Sequence, residues 1–213
     1  MSNISRHIPN SLTLINIGFG IAAILLALSG QYGKSAGMIM VSVIVDCFDG
    51  YMARLLKSTT RIGSYMDLIS DFISFGVAAA VLTVKLFDVN VYIALFFIAA
   101  SGYRLIYFMK TKNDRFFYGM PTTVAGGFIA SISLLKPEIP VSHNLLMVIL
   151  SLLMLAFRIK YYRLNFKGRR TISTLIAIVL GVFVLDFTYG LMLIMFLIIT
   201  YMAFGWLHVK EPK

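Results

Sequence analysis

The sequence predicts an all-α integral membrane protein of about eight transmembrane helices, with both termini in the cytoplasm. Three observations predict it. The 213 residues are 59% hydrophobic and only 13% charged, which is the composition of a membrane protein and is too short for more than one compact bundle. Apolar runs of roughly 17 to 24 residues recur along the chain, and each is long enough to cross a ~30 Å hydrocarbon core. The bases gather in alternate breaks between those runs.

The runs fall at about 11–29, 34–56, 63–86, 90–110, 119–136, 143–161, 171–187 and 190–208. Polar breaks separate them: Gly30 to Lys34, Lys57 to Arg61, Asp88 to Asn90, Lys110 to Arg115, Lys136 to Pro140, Tyr162 to Arg170, and Asp186 to Gly190. The first run follows a single Arg6 and resembles a secretory leader, but it is longer than a usual leader core, so a retained helix is expected. The seventh run is short and a tight turn joins it to the eighth. An N-terminus inside places every Lys and Arg except Lys34, Lys85 and Lys136 on the cytoplasmic side, which sets orientation by the positive-inside rule and requires an even number of spans. No internal repeat is visible, so the inverted-repeat architecture of many transporters has no support.

The net charge of +10 does not signal nucleic acid, because the bases lie in short loops between apolar runs, where anionic headgroups and topology account for them. The single cysteine, Cys47, excludes an intrachain disulfide and reads as a small core residue. His7, His143 and His208 lie at helix ends and receive no role.

Four of the nine acidic residues sit inside the second and third runs: Asp46, Asp49, Asp67 and Asp71. Intramembrane carboxylates are costly and usually mark a site. On a helix turning 100° per residue, Asp46, Asp49, Gly50, Ala53 and Arg54 span an arc of about 140°. Asp67 and Asp71 form an i,i+4 pair on the next helix, with Gly63 and Ser74 on the same stripe. A short hinge from Leu56 to Ile62 makes the two helices antiparallel, so all four acids are expected to converge just below the inner membrane surface. With no aligned histidine or cysteine, this oxygen-only set favours Mg²⁺ or Mn²⁺, with Ca²⁺ open, and four charges suffice for two ions. Gly50, Ala53 and Gly63 leave room for a ligand, and Arg54 offers a fork for phosphate oxygens. Metal, Arg and small residues together describe a pyrophosphate-bearing substrate. A divalent-cation transporter would also use such acids. It would need polar residues continuing across the membrane, whereas Phe72-Ile73-Ser74-Phe75-Gly76 leads into mostly apolar sequence.

At these residues the chain closely resembles the CDP-alcohol phosphatidyltransferase family, whose signature is D-x2-D-G-x2-A-R-x8-9-G-x3-D-x3-D. Asp46, Asp49, Gly50, Ala53, Arg54, Gly63, Asp67 and Asp71 fill every fixed position. The resemblance implies a single membrane domain over 1–213, with a six-helix core at about 9–161 and two additional helices at about 171–208. It implies transfer of a phosphatidyl-type group from a CDP-linked lipid to an alcohol, with release of CMP. It makes Asp46, Asp49, Asp67 and Asp71 the metal ligands and Asp71 also the general base. Gly50, Ala53, Arg54, Thr60 and Gly63 would line the CDP-lipid site, and Pro9, Asn10 and Thr13 match the family's first-helix pattern, placing Asn10 and Thr13 near the donor. A homodimer is a further implication, as is a multi-pass place in the cell membrane with the active site on the cytoplasmic side.

The motif does not choose the acceptor. The stretch from Ser101 to Gly127 resembles the phosphatidylserine synthase branch, which carries an R-L-A-R-F-N-like run and then G-L-P-x-x-A-A-G; Arg104, Gly119, Pro121, Ala125 and Gly126 correspond, while Tyr107 and Met109 replace the second Arg and the Asn. L-Serine is the acceptor this implies, bound through Arg104, Arg115 and Tyr118. Glycerol 3-phosphate or inositol phosphate is the alternative. The donor lipid, CDP-diacylglycerol or a CDP-archaeol type, stays open because acyl-facing positions are simply apolar.

Overall fold

A computed structural model describes residues 4–55, 61–111, 116–135, 142–156 and 160–162. The chain runs α1 (Ile4–Leu28), α2 (Tyr32–Leu55), α3 (Arg61–Asp71), a π-helical segment (Phe72–Val77), α4 (Ala78–Phe87), α5 (Val91–Lys110), β1 (Phe116–Tyr118), α6 (Thr122–Leu135), α7 (His143–Leu155) and β2 (Lys160–Tyr162). Among the described residues, three helical stretches are long and apolar enough to cross a membrane: Ser11–Leu28, Ile62–Phe87 and Val91–Lys110. With 24 residues, or about 36 Å at 1.5 Å each, α2 matches them in length while carrying the acids. The described parts of α6 and α7 cover 14 and 13 residues. At about 20 Å each they are shorter than the runs expected over 119–136 and 143–161.

The joints follow local chemistry. At the end of α1, Gly30 N–H donates to Ala27 C=O (3.2 Å) and Gln31 N–H to Leu26 C=O (2.9 Å), the paired closure that turns the chain back into α2. Asp88 takes a left-handed conformation (φ 52°) after α4, and the Asn90 side chain then caps α5 by accepting from Tyr92 N–H at 2.9 Å. Ser142 does the same for α7 through Leu145 N–H. Gly119 holds φ +71° just before Pro121 opens α6, a backbone state that a side chain would strain.

Two expectations change. The run expected to stay helical to 161 ends at Leu155, whose turn is closed by Ala156 N–H and Met120 N–H on the Leu153 carbonyl. Beyond it, Lys160–Tyr162 pairs antiparallel with Phe116–Tyr118, Phe116 opposite Tyr162. Aromatic side chains favour extended backbone, and the pairing satisfies amides that would otherwise stand open beside the bundle, so the described fold is helical apart from this short two-stranded ribbon. The spans expected at 171–187 and 190–208 lie outside the described residues, so the count of eight does too.

The second change is the π-helical segment immediately after Asp71, where a continuous α-helix was expected. A π turn carries one extra residue and swings the following side chains by about 100° relative to an α-helix. Ser74, which an α-helix would keep on the Asp67–Asp71 stripe, is fully buried and donates to the Asn16 carbonyl of α1 at 3.1 Å. Around this segment the neighbours are pared down: Gly20 of α1 faces Ser74, Gly102 of α5 faces Phe72, and Gly126 of α6 faces Phe75. The close approach of Gly126 leaves no room for a Cβ, which would lie 2.7 Å from Phe75 Cβ and 2.9 Å from its Cα.

Phe75 anchors an apolar core shared with Ile39, Leu82, Phe97, Ile129, Met147 and Leu150. α1 packs along α2 and also along α3, the π segment and α4; α2 packs on α6, and α5 on α7. Buried hydroxyls mostly satisfy themselves on their own helix, as membrane helices require: Thr83 on Ala79, Ser131 on Gly127, Ser133 on Ile129 and Ser151 on Met147. Large apolar side chains point outward in helical rows, such as Leu14, Ile21, Leu25 and Leu28 on α1 and Leu145, Ile149 and Leu152 on α7. Rows of that kind belong against lipid, and this is a membrane protein.

Candidate active site

Asp46 projects from α2, and Asp67 and Asp71 project from the last two turns of α3. One carboxylate oxygen of each lies within 4.8 Å of the others. The i,i+4 spacing puts Asp67 and Asp71 on one stripe, and the packing of α2 against the π segment that continues α3 closes the gap to Asp46. Asp67 is exposed, whereas Asp46 and Asp71 are partly buried, so the cluster opens toward the end of the helix pair.

Asp71 Oδ1 is buried and accepts no hydrogen bond among the described residues. An anionic oxygen in that state costs several kcal/mol unless something positive meets it. The Arg104 guanidinium is near enough to interact electrostatically with Asp71, but a single base among three acids leaves the cluster negative. An oxygen-only donor set with one orphaned buried oxygen fits a hard divalent cation. These residues could therefore hold a metal ion.

The expected convergence of all four aspartates is met by three. Asp49 lies one turn along α2, is 6% exposed, and accepts a 2.5 Å hydrogen bond from Thr13 Oγ1 on α1. Thr13, expected near the donor, thus ties α1 to the acid-bearing helix. Gly63 lies one turn before Asp67 on α3. Asn10, Gly50, Ala53 and Arg54 fall on the described backbone of α1 and α2, and Tyr118 on β1, but their side chains lie outside the description, as do Thr60 and Arg115 altogether.

Arg104 is 4% exposed on α5, its Nη1 donates to Thr122 Oγ1 at 3.4 Å, and its guanidinium carbon sits 5.3 Å from the centre of the Phe108 ring. Thr123 Oγ1 donates to Asp46 Oδ2 at 3.4 Å. Both threonines lie within the Ser101–Gly127 stretch, in which no role was expected of them. Two adjacent hydroxyls opening a helix straight after Gly119 and Pro121 were the available signal, since first-turn side chains there project back toward the acid end of the bundle. Asn16 was also missed: it is 2% exposed on the buried seam of α1.

A sequence model of the CDP-alcohol phosphatidyltransferase family matches residues 6–209. The chain is 31% identical over 174 residues to the archaetidylserine synthase of Methanothermobacter thermautotrophicus, covering 77% of this chain and 73% of that protein. It is 32% identical over 156 residues to the CDP-diacylglycerol–serine O-phosphatidyltransferase of Methanocaldococcus jannaschii, covering 72% of this chain and 73% of that protein. It is 28% identical over 135 residues to the enzyme of the same name from Helicobacter pylori, covering 60% and 57%. With a match over nearly the whole chain and three of the motif carboxylates gathered at one point, this chain belongs to the CDP-alcohol phosphatidyltransferase family.

Proposed function

We propose that the protein transfers a phosphatidyl or archaetidyl group from a CDP-linked lipid to the hydroxyl of L-serine, releasing CMP. The observation that carries this reading is the Asp46–Asp67–Asp71 cluster with its orphaned Asp71 oxygen, in a family member whose relatives are named for serine as acceptor.

Asp46, Asp67 and Asp71 would hold Mg²⁺ or Mn²⁺, with Asp49 as a further ligand if a second ion binds. When bound, the divalent cation supplies positive charge opposite the pyrophosphate. Asp71 accepts the proton of the serine hydroxyl as the serine oxygen bonds to the lipid-side phosphorus. The bond from that phosphorus to the bridging oxygen breaks, and CMP leaves with the electron pair. Arg104, held by Thr122, offers its guanidinium to the serine carboxylate, and Arg115 and Tyr118 complete the acceptor side. Gly50, Ala53, Arg54, Thr60, Gly63, Asn10 and Thr13 form the donor side. Holding both reactants at one end of the bundle contributes through orientation. The site faces the cytoplasm in a chain of about eight spans with both termini inside, acting as one domain over 1–213, with its six-helix core at about 9–161, and as a homodimer.

The test is CMP release by the purified full chain with CDP-diacylglycerol or CDP-archaeol, with Mg²⁺ or Mn²⁺, against L-serine, glycerol 3-phosphate and inositol phosphate. Release should depend on L-serine, stop with EDTA and return with either metal. Turnover on a phosphorylated alcohol with none on serine would refute the acceptor assignment.

A further inference from the structure

Most buried hydroxyls of this bundle donate to backbone carbonyls. Thr83, Ser101, Ser131, Ser133 and Ser151 donate to carbonyls of their own helices, and Ser35 and Ser74 donate to the α1 carbonyls of Ala23 and Asn16. Ser42 and Ser70, both fully buried, make no side-chain hydrogen bond among the described residues, and neither does the buried Oδ1 of Asn16.

The hydrogen bonds between helices place these three groups at similar levels of the bundle. The Thr13–Asp49 and Ser35–Ala23 bonds set the antiparallel register of α1 against α2, bringing Ser42 across from the turn between Asn16 and Gly20. The bond from Ser74 to the Asn16 carbonyl sets α1 against the π segment, and Ser70 lies one turn before Ser74, adjacent in sequence to Asp71. Ser42 lies one turn from Asp46 on the same stripe of α2.

We infer that Asn16, Ser42 and Ser70 form a buried binding site for ordered water directly behind the carboxylate cluster. The chemistry selects the ligand. Two hydroxyls whose hydrogens are not spent on their own helices need lone pairs, and the Asn16 oxygen needs a hydrogen. A water molecule accepts from Ser42 and Ser70, donates to Asn16, and keeps one hydrogen for a neighbouring carboxylate. The water links three helices and orients the acids from behind, as outer hydrogen bonds do at metal sites.

Thermal unfolding of the full chain in detergent with EDTA tests the site independently of the catalytic reading, because no metal or substrate is present. If each hydroxyl is satisfied by shared water, Ser42→Ala and Ser70→Ala should each lower Tm by about 2–4 °C. The double variant should lose clearly less than the two shifts combined, since both remove the same ligand. A second arm does rest on the proposed metal site: Mn²⁺ affinity, read by electron paramagnetic resonance, should fall about tenfold in either variant. A Tm that is unchanged or raised in either single variant overturns the proposal, because deleting a truly unsatisfied hydroxyl relieves a penalty. Additive shifts overturn the shared ligand.

Discussion

Replacing Gly126 by alanine tests the architecture that carries the site. The new Cβ would stand 2.7 Å from Phe75 Cβ and 2.9 Å from Phe75 Cα, and the second of these is backbone that no rotamer change can clear. Carbon atoms pack at about 3.5–4.0 Å, so α6 and the π segment must part by roughly 1 Å. Overpacking of that kind costs about 1–3 kcal/mol. For a chain of this size the loss should appear as a fall in Tm of roughly 3–10 °C. The same displacement acts on the site. Thr122 and Thr123, four and three residues before Gly126, reach Arg104 and Asp46 at 3.4 Å each, a separation that survives no further stretching. Serine-dependent CMP release should therefore fall along with Tm. Gly127→Ala is the matched control, because its Cβ would meet only Val43 Cγ2 at an ordinary 3.4 Å. Equal Tm values for the two variants would refute the claim that α6 and the π segment touch backbone to backbone.

Two further outcomes follow from the acids. Asp71→Asn should reduce CMP release by at least about 10²- to 10⁴-fold, the range of a lost general base, while binding of the CDP-lipid, measured by equilibrium titration, is retained; near-normal turnover would remove Asp71 from the proton transfer. Thr13→Val deletes the donor to the buried Asp49 carboxylate and should cost about 1–3 kcal/mol, read as a lower Tm without substrate; an unchanged Tm would mean that Asp49 draws nothing from α1.

Much of the site was legible before any coordinates. Carboxylates inside apolar runs are expensive enough to stand out, and helical periodicity alone puts Asp67 beside Asp71 and Asp46 beside Asp49. The ends of α2 and α5 fell within two residues of their expected places, because Gly30, Asp88 and Asn90 announce themselves by backbone and capping chemistry. The partners that fix those carboxylates were not legible. Thr123 reaches Asp46 across 77 residues of sequence, and Thr13 reaches Asp49 across 36. Such pairings depend on how helices rotate about their own axes, and uniformly apolar faces leave no mark of it.

Read alone, the chain yields its helical, lipid-facing character and the acids that matter, since these follow from composition, period and spacing along the sequence, while the family enters through the resemblance its motif carries. It took the packed helices to show that three aspartates gather while the fourth turns to α1, that the chain leaves α-helical geometry directly after Asp71, and that α7 stops at Leu155, short of a strand at Lys160–Tyr162. The physical reason is common to all three. Close approach between helices is settled by mutual packing, as where Gly126 meets Phe75, and packing is a property of pairs of surfaces that no single segment carries.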